Sequence, residues 1–349
     1  MQTKKNTMDN YKIISANKKG LFIERLAHLY MSVGGFIDME ELAGRHLQYV
    51  KVFLSDAQNQ YDTLIESELY IDIISKAPYT IVEQTPIDGS KISLLLKTSD
   101  EEPTFIFNSI RLTKEESTGI DAYMQTRLLF DKYLKSIEGT GMTLERNCVR
   151  TWIYVNDIDN NYADVVKARN DVFDKYGLTA ETHYIASTGI GGRSQVRGAS
   201  VAIDFLTYPG IKEEDKKYLQ ALGHLNPTHE YGVAFERGTR LSIKGKEQFF
   251  ISGTASIDKD GQVLYPDDVM RQTGRLLENI GALLNDGGAT MKDIRYFIIY
   301  LRDISDYAGV LSFMNTAYTD IPCIIVHANV CRPEWLIEME CVAQLPQSK

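Results

Sequence analysis

The stretch Asn147–Phe173, NCVRTWIYVNDIDNNYADVVKARNDVF, returns further along the chain as Asp293–Tyr318, DIRYFIIYLRDISDYAGVLSFMNTAY. Arg150, Tyr162, Val165, Asn170 and Phe173 recur as Arg295, Tyr307, Val310, Asn315 and Tyr318, each 145 positions on. Asp157-Ile158 recurs as Asp303-Ile304 once one residue is allowed for in the turn, and Gln125–Leu129 (QTRLL) recurs as Gln272–Leu277 (QTGRLL). Internal similarity of this kind means one structural unit used more than once. A fainter copy, Tyr49–Tyr61 (YVKVFLSDAQNQY), sits at the front, with Asp56 and Tyr61 matching Asp157 and Tyr162 at an offset of 101. In it, too, an apolar strand and an Asp-bearing turn precede a helical stretch (Leu64, Ile65, Leu69) and two strands, Pro78–Val82 and Ile92–Leu96.

The last copy reads as a small α+β unit. Gln248–Ile257 is a β-rich run, and Asp260-Gly261 is a turn signal. From Asp267 to Leu284, apolar residues recur at helical spacing, with Asp267 and Asp268 suited to the positive helix start and Asn285–Gly288 ending it. Ile294–Leu301 is an apolar strand and Asp303–Ala317 a second helix. Cys323–Val330 and Trp335–Val342 are final strands joined by Cys331-Arg332-Pro333-Glu334. The order β-β-α-β-α-β-β places both helices on one face of a mixed sheet. Polar, proline-bearing linkers are expected at Thr98–Pro103 and Tyr208–Lys217. The expected fold is therefore α+β, with tandem units at 1–98, 99–210 and 228–346.

With 349 residues the chain has room for two or three domains, and 44% hydrophobic with 24% charged residues describes a globular protein. No apolar run reaches 18 residues, so no membrane span is expected. The basic start MQTKKNTMDNYK lacks the apolar segment of a secretory leader, which points to a cytoplasmic location. The four cysteines (Cys148, Cys323, Cys331, Cys341) show no CxxC pairing. They read as reduced thiols, three of them on strands near the C-terminus, and neither metal nor cofactor is expected. A net charge of −9 argues against a nucleic-acid partner, which needs basic surface.

The last copy resembles the Rid/YjgF superfamily, through Phe249–Ile257 (FFISGTASI), Gln272–Thr290 and Leu336–Ala343. The resemblance implies a chorismate-mutase-like trimer with ligand clefts between subunits. Three fused copies would make that trimer within one chain, an intramolecular pseudo-trimer that is either a monomer or part of a higher homo-oligomer. Single-domain Rid deaminases carry an arginine before the final strand to hold a substrate carboxylate, and here Cys331 stands nearest that place. The hairpin Cys331-Arg332-Pro333-Glu334-Trp335-Leu336-Ile337-Glu338 instead resembles the chorismatases, as do Val149–Trp152 and Tyr184–Gly192. That likeness implies hydrolysis of chorismate to pyruvate and a dihydroxycyclohexadiene or hydroxybenzoic acid. The sequence departs from the pattern at Glu236, where a serine is expected.

Cleaving an enol ether requires a carboxylic acid kept neutral near pH 7 and fixed cations for the substrate's carboxylates. Glu338 suits the first role, because its strand neighbours Leu336, Ile337 and Met339 are apolar and burial disfavours the charged form. Arg150 suits the second, since guanidinium grips carboxylate in a two-pronged fork. Cys331 is expected to line the pocket and shape the product. Tyr184, Arg237 and Gly253 complete the expected substrate-binding set, with Arg150 and Tyr184 on the wall opposite Glu338 and Cys331. The plain structural alternatives are a solvent-facing carboxylate for one of Glu338 and Glu340, a surface ion pair for Arg150 and a buried thiol for Cys331. Thr188–Arg193 (TGIGGR) reads as a mobile turn lining the cleft, since the strand-before, helix-after context of a phosphate loop is missing. Two further readings stay open: a Rid-type enamine or imine deaminase, and a non-catalytic small-molecule-binding protein.

Overall fold

The computed structural model describes residues 8–346, so residues 1–7 of the basic N-terminal stretch lie outside the described residues. The first sheet is built from β1 (Asn10–Ser15), β2 (His46–Leu54), β3 (Tyr79–Glu83) and β5 (Ile92–Ser99), with α1 (Phe22–Leu42), α2 (Ala57–Ile65) and the short β4 (Thr85–Pro86) between them. The second comprises β6 (Ile106–Ile110), β7 (Cys148–Val155), β8 (Ala186–Gly191) and β9 (Val201–Thr207). Its helices are α3 (Lys114–Ser117), α4 (Ala122–Ile137), α5 (Leu144–Asn147) and α6 (Ile158–Lys175). The third sheet holds β10 (Lys216–Tyr218), β11 (Gly238–Ile243), β12 (Lys246–Thr254), β13 (Ile294–Leu301), β14 (Cys323–His327) and β15 (Ile337–Pro346), with α7 (Val269–Asp286) and α8 (Tyr307–Ala317).

The strand orders are β1-β5-β2-β3, β6-β9-β7-β8 and, within a seven-stranded sheet, β12-β15-β13-β14. In each, the last strand lies antiparallel between the first two, and the second and third run parallel around a helical crossover. Each sheet also carries a register shift at the start of its second strand, between Leu47 and Tyr49, Cys148 and Arg150, and Ile294 and Tyr296. The shift corrects the alignment read from sequence. Arg150 shares its register position with Tyr296, whereas Arg295 is the skipped residue, like Val149. Seven-stranded width comes from β10 and β11 at one edge and from β4, donated by the first part of the chain, at the other.

Alternation along each strand sorts the core. Val50, Val52 and Leu54 face α1 and α2, while Ile153, Val155 and Phe205 face α4 and α6. The opposite faces carry Phe53, Trp152, Tyr154, Ile298 and Tyr300 into one shared core where the three sheets meet. Lys51 is buried there with its ammonium 5.2–5.7 Å from the ring centres of Phe53, Tyr154 and Trp152, and burial lowers its pKa.

Several sequence expectations change. Thr98 and Ser99 belong to β5, and Lys216 and Lys217 pair with β11, so both expected linkers are shorter than read. Cys323–His327 and Ile337–Pro346 replace the expected final strands. The connection between them, carrying Cys331 and Trp335, leaves the sheet. Helix α1 had no counterpart in the sequence reading. TGIGGR is no mobile turn: its first four residues, Thr188–Gly191, belong to β8, and a Cβ at Gly191 would come within 2.8 Å of the Asn329 backbone. The four cysteines are free thiols. Among the described residues no helix is long and apolar enough to cross a membrane.

The first and third sheets are joined by a buried charge cluster. Asp9 meets Lys97 and Lys246 at 2.9 Å each and accepts from Ser99 and Gln344. Burial alone would raise the Asp9 carboxyl pKa, but Lys97, Gln344 and Lys246 outweigh it and hold it far below the usual range. A depressed carboxyl contributes stability that is present above its unfolded pKa and lost as pH falls. Asp9→Asn should therefore lower unfolding free energy by about 3 kcal/mol at pH 7 and flatten the decline in stability below about pH 4. Urea denaturation between pH 3 and 7 measures both effects.

Candidate functional site

Strand β15 presents Glu338 and Glu340, two residues apart, on one inward face toward the second sheet. Both are buried, at 4% and 2% exposure, so neither is the solvent-facing carboxylate of the plain reading. Glu340 is fully engaged: it pairs with the Arg150 guanidinium at 2.7 Å and accepts from the Trp152 indole at 2.8 Å and the Thr188 hydroxyl at 2.5 Å. Among the described residues no hydrogen bond holds the Glu338 carboxyl. It lies against Gly253, where the β12–β15 pairing shifts between Ile251 and Thr254, and any Cβ at Gly253 would collide with it. Burial pushes Glu338 up to about 8. The neighbouring Glu340 charge adds to the rise, and Arg150 and Arg237 pull the other way.

Glu338 looks into a cleft of about 360 Å³ between the second and third sheets, within the usual size range of small-molecule sites, about 300–1,000 Å³. Gly253, Arg237, Cys331, Arg332 and Trp335 line one side, and Tyr162, Arg169, Ser187 and Gly189 the other. Three guanidinium groups thus surround one acid whose pKa is raised. Arg237 donates to the Asn226 carbonyl and side-chain oxygen, at 3.0 and 3.2 Å, and lies over the Phe235 ring. Arg169, 2% exposed, lies over the same ring, and Arg332 over Trp335. Burial, with the Glu338 charge adding, pushes the Cys331 thiol up to about 12, and the Tyr162 hydroxyl is its hydrogen-bond partner.

Of the residues picked out from sequence, the structure brings Glu338, Cys331, Arg237 and Gly253 together in this cleft. It does not bring Arg150 or Tyr184 there. Arg150, 1% exposed, is consumed by Glu340, Thr188 and Ser252 behind the cleft wall. Tyr184 lines an adjoining pocket of about 170 Å³ with His183, Tyr218 and Glu236, separated from the cleft by Phe235 and Arg237. Glu236, the departure from the expected serine, accepts from the Tyr184 backbone at 2.8 Å. Trp335, buried in the shared core, also forms part of the cleft wall. Sequence reasoning missed Arg169, although it sits on the apolar face of α6 with Val165 and Val172, an unusual place for a cation. Arg332 was quoted in its motif but given no role, and Tyr162 was noticed only as a repeat marker.

The register also locates the counterparts of the acid. At the fifth pair past each bulge, Tyr300 faces Glu338, Tyr154 faces Ala202 and Phe53 faces Ser93. Only the third sheet places a carboxyl there.

A carboxyl whose pKa is raised in the folded state contributes stability that is complete below its unfolded pKa and lost as pH rises through the folded one. Stability should therefore decline by up to about 1.4 kcal/mol per pH unit between about 4.5 and 8 on account of Glu338. Glu338→Gln should remove that component of the slope in denaturation curves. Gly253→Ala should cost about 1–3 kcal/mol, because the carboxyl must move.

With this geometry established, comparison with known proteins gives three results. The family model described as Endoribonuclease L-PSP matches residues 237–345. A RutC family protein of Pyrococcus abyssi is 31% identical over 104 residues, covering 29% of this chain and 82% of the relative. A solved chorismatase structure is similar in fold over 85% of this chain and 92% of that one, with a TM-score of 0.65 at 20% identity. The fold is thus a mixed α+β arrangement like that of the chorismatase, and the chain belongs to the Rid/YjgF superfamily, the family of the RutC proteins.

Proposed function

We propose that the protein is a chorismatase-like hydrolase that cleaves the enolpyruvyl ether of chorismate to pyruvate and a cyclic acid. The observation that carries this reading is the neutral acid Glu338 set among Arg169, Arg237 and Arg332 in one enclosed cleft. Chorismate is a dianion, and guanidinium groups bind carboxylates through paired hydrogen bonds. Its enol ether needs a proton on the terminal carbon, and an acid with a pKa near the working pH is the efficient donor.

In the proposed reaction, the enol double bond takes the Glu338 proton to form a methyl group, leaving an oxocarbenium ion. The Glu338 carboxylate so formed stabilises that cation across the cleft. Water adds to the cationic carbon and returns a proton to Glu338. The resulting hemiketal expels the ring alcohol, releasing pyruvate and a dihydroxycyclohexadiene acid. Capture of the cation by a group on the ring would lead instead to a hydroxybenzoic acid. Cys331, a thiol rather than a thiolate at neutral pH, contacts the substrate without attacking it and shapes which capture occurs. Gly253 keeps the Glu338 carboxyl in place by offering no side chain.

We also read the three sheets as copies of one unit in tandem, with boundaries near residues 98 and 210, packed as a pseudo-trimer with sheets inward and helices outward. The shared strand order and bulge support this reading. It accounts for a single active cleft, since Ala202 and Ser93 stand where the other two units would carry the acid.

Purified protein incubated with chorismate should release pyruvate, followed by a coupled assay. Glu338→Gln should lose about 10²–10⁴-fold in kcat, while Arg332→Ala and Arg169→Ala should act more on KM than on kcat. Wild-type turnover should fall above about pH 8, as Glu338 gives up its proton. No pyruvate from wild-type protein would overturn the reading, and release of ammonia from an unsaturated amino-acid enamine would replace it with a deaminase. Undiminished turnover in Glu338→Gln would remove the acid from its role.

A further inference from the structure

Helix α1 is apolar around most of its circumference, and the described residues cover only one side of it. Leu26, Leu29, Val33 and Phe36 are buried against the first sheet. On the outer side, Ile23, Met31, Met39 and Leu42 are 52%, 72%, 64% and 90% exposed. A helix apolar on all sides is normally buried on all sides. The neighbouring turn adds Ile71, 49% exposed, held beside α1 by the Tyr30 hydroxyl and Asp72 at 3.3 Å.

Two consecutive glycines, Gly34 and Gly35, sit in the middle of this helix. Glycine is the poorest helix-interior residue after proline. Neither has the positive φ that would require glycine, and a Cβ at either position meets nothing within 4 Å. Nothing among the described residues calls for glycine there. Together they cut a notch in the outer face, which lets another backbone approach closely.

We infer that α1 is the interface of a homodimer, packed antiparallel against α1 of a second copy. Along the outer row, large and small residues alternate at four-residue spacing: Ile23, Ala27, Met31, Gly35, Met39. A two-fold axis at residue 33 seats Met31 of each copy over Gly35 of the other and Met39 over Ala27. This is self-complementary packing of i±4 ridges. The same axis brings exposed His28 toward exposed Asp38 of the other copy. A membrane is the poorer occupant, because the outer charges of α1 include Glu24, Asp38 and Glu41 and no lysine or arginine. Helices packed this way cross at about 50° and touch over their middle turns, burying less than the roughly 1,000 Å² of a specific interface, so the dimer is weak and reversible.

The test is sedimentation velocity on the full chain from about 1 to 200 µM. Wild type should shift from monomer toward dimer across this range, with a dissociation constant in the micromolar range. Met31→Lys should remain monomeric throughout, and Gly35→Leu, which fills the notch, should weaken association at least about tenfold. Circular dichroism melts confirm that both variants are folded. Lys114→Ala, away from α1, serves as the control and should dimerise like wild type. A wild type that stays monomeric at the highest concentration overturns the proposal. So does a dimer that survives both α1 substitutions, or binding to neutral lipid vesicles without dimer formation.

Discussion

Two carboxyl groups two residues apart on one strand face cannot both hold a charge in the same dry junction. The structure resolves this constraint by asymmetry. Glu340 receives Arg150, Trp152 and Thr188, so its charge is matched across the seam between the second and third sheets. Among the described residues Glu338 receives no such partner, and burial and the Glu340 charge both raise its pKa, favouring the neutral form. A buried ion pair adds little net stability, and its two charges act on Glu338 in opposite directions, Glu340 raising and Arg150 lowering its pKa, so burial is the main cause of the rise. The inward face of β15 thus joins a structural clamp to an acid with a raised pKa through a spacing of two residues.

Arg150 shows how the sequence was informative about the junction and misleading about the cleft. Its recognition as a carboxylate-gripping residue at an interdomain seam was chemically sound, but the carboxylate it grips is the protein's own Glu340. Whether a strand arginine meets a substrate or a side chain depends on which residue lies opposite in another sheet, and no local pattern encodes that. Arg169 is the converse case. It reads as one more charge on an amphipathic helix, and becomes part of the cleft because α6 turns its apolar face inward beside Phe235.

The α+β pattern was largely legible because strand–turn–helix periodicity is local. Ile294–Leu301 was read at its observed bounds, and the second helix at its observed end, Ala317, although it starts at Tyr307 and not at Asp303. What escaped was set by tertiary contact. The β-bulge that moves Arg295 out of phase with Arg150 is invisible in a linear offset. Helix α1 escaped for a different reason: apolar residues on most sides blur the 3.6-residue signal, so it offered no clear face to recognise. Glu338, Cys331, Arg237 and Gly253 were found because they belong to motifs around one hairpin and one strand. Tyr184 was drawn in by proximity to such a motif, yet the wall formed by Phe235 and Arg237 puts it in the next pocket.

The protonation state of Glu338 is the point on which both the electrostatics and the proposed chemistry turn. Difference infrared spectroscopy of wild type against Glu338→Gln reads it directly, through the carbonyl stretch of a protonated carboxyl group. The band should be present at pH 7 and disappear with a midpoint near pH 8. A Glu338 that is already ionised at pH 6, giving only carboxylate bands, would contradict the account.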